Sequence, residues 1–103
     1  MEKRAHKRIP SNLLVHYFYG GAIYFGTVTN LSESGMFVHT KTVSTHIDSE
    51  FEIVSPSQDN ELKIPVQVKR IAMKDDIYEG FGVEVVNLSK EYFEFVNYLK
   101  VSL

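Results

Sequence analysis

Between residues 12 and 86, apolar and polar side chains alternate in short runs separated by turn-forming clusters, the pattern of half-buried strands. Residues 13–19, rich in aromatic and apolar side chains, predict a first strand. Gly20-Gly21 follows as a two-residue hairpin turn that tolerates positive φ, and residues 22–29 return. Residues 30–34 read as a loop that runs into Gly35, residues 36–40 as a third strand and 51–54 as a fourth. Residues 55–60, Ser-Pro-Ser-Gln-Asp-Asn, form a turn by composition. Leu62, Ile64, Val66 and Val68 then alternate with Lys63, Pro65, Gln67 and Lys69, the cleanest strand in the chain, with Pro65 placed at an edge or a bulge. Asp75-Asp76 marks a turn, and residues 79–86 give a sixth strand with Phe81, Val83 and Val85 on one face. Ser89 is placed to cap a helix reaching about residue 101, with Tyr92, Phe95, Val96 and Leu99 at helical spacing. Six short strands and one amphipathic helix predict an all-β fold: a six-stranded antiparallel β-barrel with a C-terminal α-helix, closed so that no edge is left open.

Composition narrows the function classes. The 103 residues make one domain, divided here into a basic N-terminal arm over residues 1–10 and a barrel with its helix over 11–103. The absence of cysteine excludes disulfides, thiolate metal sites and cysteine nucleophiles. No apolar run reaches the roughly 20 residues that span a bilayer, and no signal-peptide core follows the first charges, so a cytoplasmic location is expected. The net charge of −2 hides a split. Residues 1–8 carry Lys3, Arg4, Lys7 and Arg8 against Glu2, a local +3, whereas the rest of the chain has seven basic and twelve acidic residues, or −5. A basic arm on an acidic body suits a small anionic ligand met at one end and disfavours a long nucleic acid.

Catalysis finds no support in the spacing. His6, His16, His39 and His46 fit no metal-ligand pattern, and no serine lies in a nucleophile elbow. Gly80-Phe81-Gly82 lacks the third glycine of a dinucleotide fingerprint and leads into a strand, where glycines mark bends or close backbone approach. Two segments remain. Arg4 and Arg8, four apart and followed by Pro10, share a face and would stand on the order of 13 Å apart in extended chain. Such a pair of guanidinium forks suits phosphate and the O6/N7 edge of guanine, although a basic terminus is also compatible with a solvated tail. Asn30-Leu31-Ser32-Glu33-Ser34-Gly35 puts an amide and a hydroxyl on one side of an extended chain, and Gly35 removes a side chain where a flat ligand would approach. An Asx-type turn accounts for the same residues without a ligand.

Taken together in this order, R-x-x-x-R before a proline, a hairpin and N-x-S-x-x-G resemble the PilZ family of bacterial cyclic di-GMP receptors. Residues 35–40 and 80–85 are similar to the family's strand after the second motif and to its last strand, and Leu88-Ser89 fits the start of its helix. The resemblance runs from Arg4 to about Leu99 and implies the same barrel and helix. It implies that Arg4 and Arg8 contact guanine and phosphate, and that Asn30, Ser32 and Gly35 hold a guanine at the barrel surface. Asn30 stands where members often carry Asp, and its amide lacks the charge that favours guanine N–H groups. Lys3 and His39 are implied as additional contacts. The implied partners are cyclic di-GMP and an unidentified protein effector that reads the ordered arm, with no other cofactor and no membrane span. Two rival readings stand beside this one: a PilZ-type adaptor that docks on a protein without nucleotide, and an oligonucleotide-binding barrel that stacks bases on its aromatic residues.

Overall fold

The computed structural model describes residues 8–41, 45–57 and 60–102. Six strands close into a barrel in the order β1-β2-β3-β6-β5-β4, every neighbouring pair antiparallel. They are β1 (Ile9–Tyr19), β2 (Ala22–Leu31), β3 (Gly35–His39), β4 (Glu50–Ser57), β5 (Asn60–Lys74) and β6 (Ile77–Val85), followed by α1 (Lys90–Ser102). Two tight hairpins are set by backbone handedness. Gly20 and Gly21 have φ of 62° and 83°, and Asp75 and Asp76 have 52° and 66°, the doubly left-handed turn that matches strand twist.

Several strand limits differ from the sequence reading. β1 takes in Ile9 and Pro10, assigned there to the arm, because Ile9 is a core residue paired with Leu31. Residues 55–57 and 60, read as turn, continue the β4–β5 ladder through Pro56↔Glu61 to Ser57↔Asn60. The ladder tolerates Pro56 because the alternation of bonding directions turns its nitrogen away from β5. Pro65 obeys the same rule. Its carbonyl accepts the Val86 N–H at 2.9 Å, so its nitrogen faces the side where β6 has ended and no donor is missed. β5 runs on to Lys74, past the expected residue 69, with irregularities at Val68/Arg70 and Ala72/Met73 that break the alternation visible in the sequence.

The inward sets fill the barrel as the alternation requires. Val15 and Tyr17, Val28 and Leu31, Met36 and Val38, Ile53, Ile64, Val66 and Val68, Phe81, Val83 and Val85 are all buried. Tyr92, Phe95 and Val96 of α1 join this core, with Phe95 packing beside Leu13, Val15, Leu31 and Met36. Ser89 caps the helix as expected: its Oγ accepts the Tyr92 N–H at 3.1 Å and its carbonyl accepts the Phe93 N–H. Among the described residues, no helix is long and apolar enough to cross a membrane.

Candidate functional site

Register assembles the site from five strands. Pro10 pairs with Asn30, Asn30 with Phe37, Phe37 with Gly82, and Gly82 with Arg70. Directly opposed residues of an antiparallel ladder share a face, so these form one row across the outside of the barrel. The irregularity between Val28 and Asn30 lets Asn30 face outward while Leu31 beside it is fully buried. The Arg8 guanidinium donates to Asn30 Oδ1, which joins the end of the arm to this row. Further along, the Arg70 guanidinium lies 5.2 Å from the centre of the Phe37 ring, a cation–π contact. To reach it, Arg70 crosses β6 at Gly82, where a Cβ would stand 3.2 Å from Arg70 Cγ. The row is therefore a shallow strip with a cation near each end, an amide and an aromatic plane between them, and the Arg70 side chain laid over Gly82 of β6.

The loop between β2 and β3 is held from below. Ser32, only 2% exposed, donates its N–H to the Gly35 carbonyl at 2.8 Å, and its Oγ accepts the Ser34 N–H at 3.3 Å. The Tyr92 hydroxyl of α1 donates to the Ser32 carbonyl at 2.6 Å. Burial raises the Tyr92 phenol far above its ordinary range; the positive charge of Arg8 works the other way, and Glu33 adds to the rise. Lys100, in the last turn of α1, pairs with Glu33 at 3.1 Å. Gly35 is also required by packing: a Cβ there would lie 2.5 Å from the Val83 carbonyl oxygen. At Gly80, with φ of 151°, it would lie 2.1 Å from the carbonyl oxygen of Val38.

Of the residues singled out from the sequence, Arg8 and Asn30 meet directly. Ser32 and Gly35 shape the loop, with Ser32 beneath the surface and its hydroxyl engaged in the turn. His39 is exposed two residues beyond Phe37 on the same face, about 7 Å along β3. Arg4 and Lys3 lie outside the described residues. Phe37, Arg70 and Tyr92 were not singled out. For Arg70 the one sequence signal was Gly80-Phe81-Gly82, read as close approach. The approach at Gly82 is that of the Arg70 side chain. Among the described residues, no group of three or more His, Asp or Glu is placed to hold a metal ion.

A family model described as PilZ domain matches residues 2–99. Among solved structures, the fold is similar to the Bacillus subtilis inhibitor of motility MotI/DgrA, with a TM-score of 0.82 at 13% identity, covering 99% of this chain and 52% of that one. It is similar to Escherichia coli YcgR in complex with c-di-GMP, TM-score 0.80 at 14% identity, covering 98% of this chain and 46% of that one. It is also similar to the K. pneumonia MrkH–c-di-GMP complex, TM-score 0.79 at 15% identity, covering 98% and 52%. The chain thus spans about half the length of each of these three. A comparison with curated proteins found no match.

Proposed function

The chain belongs to the PilZ domain family, and we propose that it is a receptor for cyclic di-GMP that signals to a protein partner. The observation that carries this reading is the outer row from Arg8 and Asn30 to Phe37 and Arg70. Cyclic di-GMP presents two phosphates and two guanines. Each chemistry of the row has a counterpart there: guanidinium for phosphate or the guanine O6/N7 edge, an amide for a base edge, and a guanidinium–aromatic stack for a purine face. With Oδ1 engaged by Arg8, Asn30 offers its N–H groups, which suit the O6 and N7 acceptors of guanine. Gly82 leaves room for the Arg70 side chain to cross β6 and bring its guanidinium over Phe37. Ser32 and Gly35 act by fixing the loop that carries Asn30. Arg4 and Lys3 enter through their place in the basic arm, and His39 as a contact at the far side of the strip. The activity is binding, with no chemical step.

Calorimetric titration with cyclic di-GMP, with GTP as the control, tests the reading. Parent protein binds cyclic di-GMP and not GTP. Arg8→Ala and Arg4→Ala each weaken binding by roughly tenfold or more, the loss of a charge-assisted contact worth about 1.5–3 kcal/mol. Variants that titrate like the parent would refute the assignment. A folded parent that takes up no nucleotide would favour the adaptor reading.

A further inference from the structure

Beyond the Asn30 row, the outer face of β1 and β2 carries Leu14, Phe18, Ile23 and Phe25, which are 65, 61, 47 and 60% exposed. Register makes them one surface, because Leu14 pairs with Thr27, His16 with Phe25 and Phe18 with Ile23. His16 stands in the middle, its ring edge-on to Phe18 at 5.9 Å and tilted against Phe25 at 6.0 Å. The fold does not require these apolar groups, since Val15, Tyr17 and Val28 already supply the inward side of the same strands. No Asp, Glu, Lys or Arg occurs between Ile9 and Ser32.

We propose that this face joins two copies of the chain, β1–β2 packed on β1–β2 about a twofold axis near His16. Three observations select a second copy as the occupant. The first is charge: β1 and β2 carry no Asp, Glu, Lys or Arg, so two copies that meet on this face bring no like charges together and desolvate none. The second is closure: each strand of the barrel has a neighbour on both sides, so association proceeds face to face rather than by strand addition. The third is area: four side chains this exposed present on the order of 500 Å² of apolar surface, and two such faces bury about 1,000 Å², the threshold of a specific interface. A charged partner would find nothing here to pair with. The inference is independent of nucleotide binding.

Sedimentation velocity of the full chain between about 5 and 500 μM, which spans weak association, tests it. The parent shifts from monomer to dimer across that range. Phe18→Glu with Phe25→Glu weakens the dimer by more than tenfold while the circular dichroism spectrum is retained. Leu14→Glu serves as a second variant if the double substitution prevents folding. Val101→Glu, on the helix at an 84% exposed position, leaves the dimer unchanged. Because the chain has no cysteine, His16→Cys adds a direct probe, and it cross-links to its own counterpart on oxidation. A parent that stays monomeric throughout overturns the proposal. So does a dimer that survives both β1–β2 variants, or one that Val101→Glu abolishes.

Discussion

At position 35 a hydrogen replaces a side chain, and that single exchange sets the distance between β3 and β6. A methyl group there would press against the Val83 carbonyl at 2.5 Å, and both partners are backbone in a closed ladder with no room to yield. Gly35→Ala is therefore expected to destabilise the fold by about 1–3 kcal/mol, the usual cost of overpacking. That corresponds to a fall in Tm of at least roughly 4 °C for a domain of this size, read by thermal unfolding. An unchanged Tm would mean that another contact spaces the strands. From the sequence Gly35 reads only as a place where a side chain is missing; that the Val83 carbonyl fills the gap follows from the β3–β6 pairing. Ser32 was legible as a motif residue in the same partial way. Its burial depends on Tyr92, 60 positions later, which no local pattern connects to it.

Between elements, the helix and the β2–β3 loop are the informative pair. Tyr92 of α1 is fully buried and its hydroxyl is bonded to the Ser32 carbonyl, whereas the Lys100–Glu33 pair at the other end of the helix is partly exposed on both sides. Removing the first leaves a buried carbonyl without its donor, so Tyr92→Phe is expected to cost about 1–2 kcal/mol in a urea titration. Lys100→Ala, which breaks a solvent-screened pair, changes stability by less than about 1 kcal/mol. Equal effects would show that the helix is held to the loop by charge rather than by the buried hydroxyl. The helix itself was legible from Ser89 and the Tyr92, Phe95, Val96, Leu99 spacing, as were the hairpins at Gly20-Gly21 and Asp75-Asp76. The length of β5 was not, because its two irregularities erase the period of two on which a strand is recognised. The Phe37–Arg70 stack was hidden more deeply. It exists only once β3, β6 and β5 are aligned with a glycine between them, and pairing register is a tertiary property.

For the whole molecule, burial of tyrosine sets a limit on the alkaline side. Burial pushes the Tyr78 phenol up to about 12, with Tyr17 adding to the rise and Thr45 opposing it, and burial acts on Tyr92 in the same direction. Both raised values belong to the folded state, so the unfolded chain loses these protons first. The stabilisation is complete below about pH 10 and falls as pH rises through the folded values. Melting temperatures measured between about pH 8 and pH 12 should stay level to about pH 10 and then drop. A level profile across the whole range would show that these hydroxyls ionise without unfolding. The loop from Asn30 to Gly35 also has a consequence for how the protein is made. Asn30 is held by Arg8 from the start of the described chain, while Ser32 and Glu33 are held by Tyr92 and Lys100 near its close. A chain emerging from the ribosome can form the β1–β2 hairpin early, yet the underside of this loop is still open. It is finished only when α1 has cleared the exit tunnel, so the loop waits for a helix made after all six strands.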